Sequence, residues 1–215
     1  ASIGYQSPWY EEYSYIENHF ARINTALTRG KPQVRVAVIH PIESYWINYG
    51  PNDSTGEKRR QINQNFADLT EWLLFGSIDF DFVCESLLAE QTYFCADRQL
   101  GIGQMRYETV IVPNCETLRS STLNVLAEFA KCGGTVIIAG DEPRYIDAKK
   151  TDDYSVFNLF KHINYDRYDI LNSLDAFRDV KLINSDGTLC DNFIYNLRND
   201  NGCMWLFIAH GKYPQ

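Results

Sequence analysis

An α/β fold built on a mainly parallel sheet is predicted by three features of the chain. Residues 34–39, 108–113 and 135–139 are short apolar runs, Val34-Arg35-Val36-Ala37-Val38-Ile39, Glu108-Thr109-Val110-Ile111-Val112-Pro113 and Thr135-Val136-Ile137-Ile138-Ala139. Such runs mark strands covered on both faces, whereas a half-solvated antiparallel strand alternates apolar and polar residues. Segments of helical periodicity lie between them, as a crossover between parallel strands requires. The runs end at His40-Pro41, Pro113-Asn114 and Gly140-Asp141-Glu142-Pro143, so polar loops open at the carboxyl ends of the strands, where open α/β sheets bind ligands.

The elements follow in order. Ser7-Pro8 predicts a helix start, and Tyr13, Ile16, Phe20, Ile23 and Leu27 form one apolar stripe that ends before Gly30 and Pro32. That helix either covers a sheet edge or connects to a preceding domain. After the first strand, a loop at 40–46 leads to the turn residues Gly50-Pro51-Asn52-Asp53, and Ser54 with Glu57 suggests a capping box. The helix beyond has Ile62, Phe66, Leu69 and Leu73 on one face and stops at Gly76. A second strand at 80–84 completes a right-handed βαβ unit. Residues 93–105 are of mixed character, with a short strand or loop around Leu100-Gly101-Ile102-Gly103.

Past the third strand, Thr117 is the predicted cap of a helix whose inward face is Leu118, Thr122, Val125, Leu126 and Phe129, stopped by Cys132-Gly133-Gly134. The fourth strand, 135–139, completes the regular part. Helices are expected over 152–163, with Val156, Leu159 and Phe160 as the apolar face, and over 167–177, and a strand over 180–183. Residues 193–198 and 203–209, joined through Asn199-Asp200-Asn201-Gly202, read as a C-terminal β-hairpin, because Asn-Gly suits a turn with positive φ. The organisation predicted is an N-terminal amphipathic helix and connector at 1–33, an α/β domain at 34–178, and strands and hairpin at 179–215 leading toward a further domain. The abrupt ends predict one compact unit from a longer chain.

Composition narrows the function classes. The chain has 215 residues, 45% hydrophobic and 14% aromatic, which excludes a disordered segment. With 28 acidic against 20 basic residues and a net charge of -8, binding to a phosphate backbone is disfavoured. No run reaches the roughly 18 apolar residues of a membrane span. Cys84, Cys95, Cys115, Cys132, Cys190 and Cys203 contain no Cys-x-x-Cys pair, and His19, His40, His162 and His210 lack ligand spacing. No metal site is expected, and the cysteines read as reduced thiols in a cytoplasmic protein. Neither G-x-G-x-x-G nor G-x-x-x-x-G-K-[ST] occurs, so no nucleotide cofactor is expected.

The candidate binding residues are His40, Glu43, Tyr45 and Trp46 of the first loop, with Asn114, Asp141 and Glu142 at the next strand ends. A tryptophan face packs on the C–H face of a sugar while His and Glu hydrogen-bond hydroxyls, so a carbohydrate is the ligand these types suit. The alternative is that Tyr45 and Trp46 pack against the N-terminal helix or another subunit. Tyr5, Trp9, Tyr10, Tyr13 and Tyr15 form a second aromatic cluster, either an interface or plain helix packing. No catalytic residue is predicted. The turn after the fourth strand, where a nucleophile elbow belongs, has Gly140 and no Ser or Cys. Cys115, just past the third strand, has no nearby His in sequence and reads as a structural thiol.

The words V-A-V-I-H-P-I-E-S-Y-W, Y-E-T-V-I-V-P and G-G-T-V-I-I-A-G-D-E-P resemble the class I glutamine-amidotransferase-like domain that follows the catalytic barrel in large bacterial glycoside hydrolases, the β-galactosidase trimerisation-type domain. The resemblance covers residues 34–145. It implies a flavodoxin-like three-layer sandwich and a non-catalytic role in oligomerisation or inter-domain assembly, with the catalytic barrel of the same polypeptide as partner. Genuine amidotransferases carry a G-x-C-x-G elbow and a later His-x-Glu pair. Here Gly140 takes the Cys position and His-x-Glu is absent. Two other readings stay open: a stand-alone amidotransferase-like hydrolase using Cys115 or the Asp141-Glu142 turn, and a carbohydrate-binding module.

Overall fold

The computed structural model describes residues 4–212, the Phe94 side chain excepted. The chain divides into two units, residues 1–33 with 195–209 and residues 34–194 with 210–215.

The larger unit is built on five strands: β1 (Val36–Ile39), β2 (Phe80–Val83), β3 (Thr109–Pro113), β4 (Thr135–Ala139) and β5 (Lys161–Ile163), in the spatial order β5-β4-β3-β1-β2. All four pairings are parallel, so every carboxyl end lies on one edge. Strand residues alternate between faces, and each face has its own apolar core. Ala37, Ile39, Val110, Val112, Val136 and Ile138 pack with Leu126 and Phe129 of α5 (Ser120–Lys131) and with Phe157. On the other face Val36, Val38, Ile111, Ile137 and Ala139 pack with Leu69 and Leu73 of α3 (Asn52–Phe75) and with Ile170 of α6 (Arg167–Ser173). The result is an α/β sandwich with helices on both faces of the sheet. Each fully buried aliphatic or phenyl side chain contributes about 1.5–3 kcal/mol of transfer free energy.

Several expectations are corrected. The segment 40–46 is not a loop: Pro41 occupies the N-cap position of a short helix, α2 (Ile42–Trp46). No capping box opens α3. Its N-cap is Pro51, the Ser54 hydroxyl donates to the Pro51 carbonyl at 3.1 Å, and Glu57 pairs with Arg60. Thr117 is not a helix cap but part of a two-residue strand, Thr117–Leu118. The exposed N–H groups at the start of α5 are met instead by remote carboxylates, Glu85 accepting from Arg119 N–H at 2.8 Å and Asp147 from Ser120 N–H at 2.9 Å.

The expected helix over 152–163 is a 3-10 turn, Ser155–Leu159, followed by β5. Leu159 is exposed while Phe157 and Phe160 are buried, because the tighter turn rotates the predicted face. Residues 180–183 form no strand, only an isolated bridge from Ile183 to Leu189. The region left mixed is an antiparallel meander, Thr92–Ala96, Gln99–Ile102 and Met105–Tyr107, preceded by a helix, α4 (Glu85–Gln91), that the periodicity did not reveal.

In the smaller unit, α1 (Tyr13–Leu27) starts later than Ser7-Pro8 predicts, the intervening residues forming hydrogen-bonded turns such as Tyr10 N–H to Ser7 O at 3.0 Å. None of its residues is buried, and Ile16 and Phe20 of its stripe stand exposed. Tyr5, Trp9, Tyr10 and Tyr15 are exposed too, so helix packing does not account for them among the described residues. The hairpin forms as expected from β6 (Phe193–Asp200) and β7 (Cys203–His210), with Asn201 and Gly202 at φ 53° and 88°. Lys31–Pro32 pairs antiparallel with β6, and the Arg29 guanidinium bonds Asp200 at 2.8 Å and lies 4.3 Å from the Trp205 ring centroid.

Candidate functional site at the carboxyl edge of the sheet

The order in which successive strands are added to the sheet reverses between β1 and β3, the position at which open α/β sheets form a ligand crevice. Beside it, at the ends of β3 and β4, lies a cleft of ≈ 250 Å³ lined by Lys58 and Asn65 of α3, by Asn114, Cys115 and Glu116 after β3, and by Asp141, Glu142 and Arg144 after β4.

Its geometry is set by two strained turns held to each other. Asn114 sits at φ 42°, a left-handed conformation that Asn tolerates better than most residues. Its N–H donates to the Ala139 carbonyl at 2.7 Å, and its side-chain oxygen accepts weakly from Asp141 N–H at 3.4 Å. Gly140 adopts φ 92° and donates its N–H to the Ile163 carbonyl at 3.0 Å. A Cβ at this position would stand 3.1 Å from Asn114 Oδ1 and 3.2 Å from Tyr165 Cβ. A side chain at position 140 would therefore be strained and crowded.

The far wall depends on α2. Its buried Ser44 hydroxyl oxygen accepts from the N–H groups of Glu116 and Thr117 at 2.9 and 3.2 Å. The Glu116 carboxylate accepts from Asn48 Nδ2 at 2.6 Å and lies 3.5 Å from Lys58 Nζ. Glu142 faces His162 Nδ1 at 3.5 Å, and His162 Nε2 lies 3.0 Å from the Phe157 carbonyl. Cys115 is buried beneath. Burial pushes its thiol far above the ordinary range and the Glu85 charge raises it further, against a smaller opposing hydrogen bond from Ser44. That environment is the reverse of one that activates a thiolate.

Of the predicted residues, Asn114, Asp141 and Glu142 meet in this cleft, and His40, Glu43, Tyr45 and Trp46 do not line it. His40 packs edge-on against Phe66 and Phe82, with ring centroids 5.1 and 5.8 Å away, and desolvation lowers its pKa. Glu43 bonds Arg119 Nε at 2.6 Å. Trp46 is 60% exposed. Lys58, Glu116 and Arg144 were missed. Glu116 follows Asn114 closely enough that the strand-end rule reaches it, whereas nothing local to Lys58 signals that α3 delivers it here. The cleft thus offers acceptors from three carboxylates and donors from two cations, with the buried Cys115 thiol beneath them. Among the described residues no group of three or more His, Cys, Asp or Glu side chains is placed to hold a metal ion. No described helix is long and apolar enough to cross a membrane.

No protein-family model matches the chain, and no curated protein matches it. Among solved structures it is similar to a rhamnosidase from Novosphingobium sp. PP1Y, with TM-score 0.55 and 17% identity over 94% of this chain and 19% of that one. It is also similar to apo exo-carrageenase GH42 from Bacteroides ovatus, with TM-score 0.47 and 13% identity over 78% of this chain and 19% of that one. At 17% identity the first likeness is one of fold. The chain spans about a fifth of the length of each of these proteins.

Proposed function

We propose that this chain is a non-catalytic accessory domain of a glycoside hydrolase, of flavodoxin-like, amidotransferase-like topology. It serves oligomerisation or inter-domain assembly beside a catalytic barrel of the same polypeptide, and its carboxyl edge shapes a sugar-binding site. The observation that carries this reading is Gly140: the elbow position has no side chain, and at φ 92°, with an added Cβ only 3.1 Å from Asn114 Oδ1, a nucleophile there is disfavoured. Counted along the chain, the sheet order is 2-1-3-4-5, the order of flavodoxin-like folds. The likeness to the rhamnosidase covers 19% of that chain, which is compatible with a domain of a longer polypeptide. All six cysteines are free, which suits a cytoplasmic setting.

The test uses the purified chain in three measurements. Ammonia release from glutamine and hydrolysis of 4-nitrophenyl glycosides should both stay at buffer level. Sedimentation velocity should show self-association, or complex formation with the barrel encoded beside this segment. Turnover that disappears in Cys115→Ser would overturn the proposal in favour of an amidotransferase-like hydrolase, and a monomer that binds no such barrel would remove the assembly role.

A further inference from the structure

A second cleft lies between α6 and residues 180–191, and it shares no lining residue with the carboxyl-edge site. Its volume is ≈ 690 Å³, inside the span of about 300–1,000 Å³ typical of small-molecule sites. We infer that it binds a neutral pyranose, with the Tyr168 ring as the stacking platform.

The chemistry of the walls selects that ligand. Tyr168 is 76% exposed, and Leu171 and Asn172 follow it at helical spacings that place all three on one face of α6. Leu171 and Leu189 provide apolar surface inside the cleft, so an aromatic plate and an aliphatic lining adjoin a polar rim. A pyranose has the same division, a C–H face and a ring of hydroxyls.

On the rim, Asp175 pairs with Arg178 and stands 3.7 Å from Lys181, while Asp191 stands 3.8 Å from both Arg167 and Lys212. Every one of these four cations has an aspartate within 4 Å, so none stands alone as an anchor for a phosphate or sulfate, but they outnumber the two aspartates and sulfate is therefore the competitor to test. Carboxylate and guanidinium side by side present an acceptor next to a donor, the pair that adjacent hydroxyls need.

The opposite wall is also set in advance. Ile183 bridges Leu189, Asn184 Nδ2 donates to Thr188 Oγ1 at 3.0 Å, and Asp186 Oδ1 accepts from Thr188 N–H at 2.9 Å. Little ordering cost remains to be met on binding.

The experiment is saturation-transfer NMR and calorimetry on the purified chain with three probes, methyl α-L-rhamnopyranoside, methyl β-D-galactopyranoside and methyl β-D-glucopyranoside, with inorganic sulfate as competitor. At least one glycoside should bind at millimolar concentration and sulfate should not displace it. Tyr168→Ala should weaken binding about tenfold or more, the loss of a stacking contact of about 1.4 kcal/mol, whereas Tyr168→Phe should retain it. Tyr168 is exposed, so both variants should keep the parent's thermal midpoint. Binding by none of the three probes, binding unchanged in Tyr168→Ala, or displacement by sulfate would each overturn the inference. The cleft is independent of the accessory role: a monomeric or catalytically active chain would leave this inference standing.

Discussion

Gly140→Ala probes the position on which the non-catalytic reading rests. Left-handed backbone costs a non-glycine residue about 1–2 kcal/mol, and Gly140 stands at φ 92°. The added methyl would meet Asn114 Oδ1 at 3.1 Å and Tyr165 Cβ at 3.2 Å, and crowding of that kind adds about 1 kcal/mol or more. A stiffer unfolded chain returns roughly 0.4–1 kcal/mol. The net loss is about 2 kcal/mol, which for a chain of this size lowers the thermal midpoint by roughly 4–8 °C. Differential scanning calorimetry with urea titration would measure it, and the Asn114–Asp141 contact should loosen as the turn shifts. A variant within about 0.5 kcal/mol of the parent, inside the ordinary range for surface substitutions, would refute the reasoning: the elbow would then accept a side chain, and its silence would be an accident of sequence.

Two further outcomes are expected. Arg35 forks onto Glu108 through bonds of 2.8 and 2.7 Å, and that hydrogen bonding holds the Glu108 carboxyl below its usual range. A depressed carboxyl pKa gives stability that is present above the unfolded value and lost as pH falls through the folded one. Glu108→Gln should therefore cost about 1–2 kcal/mol at neutral pH, with the difference from the parent closing as pH drops below the ordinary glutamate range; a gap that persists in acid would show the loss to be one of packing. In native protein, iodoacetamide should label the exposed Cys84, Cys132 and Cys203 well before buried Cys115. Equal labelling rates by peptide mapping would contradict the environment described for Cys115.

The candidate site was only half legible. Asn114, Asp141 and Glu142 follow apolar strand runs directly, and in a parallel sheet the residue after a strand lands on the ligand edge whatever else the chain does. His40, Glu43, Tyr45 and Trp46 meet the same rule but turn into α2 at Pro41, which takes them away from the cleft lining and leaves the unremarked Ser44 as the residue that anchors the far wall. Lys58 comes from a helix whose sequence carries no sign of what its first turns face.

The sequence by itself determined β1, β3 and β4, the stop of α3 at Gly76 and the Asn201-Gly202 turn, because each depends on local facts: continuous burial, helical period, and positive φ. Tertiary structure alone decided that Lys161–Ile163 becomes an edge strand, that Glu85 and Asp147 cap α5 from afar, and that Asn114 and Asp141 are tied together. A three-residue edge strand takes its register from the neighbour that supplies its hydrogen bonds, and remote caps exist only once packing has brought distant segments together. Neither leaves a periodic trace in the chain.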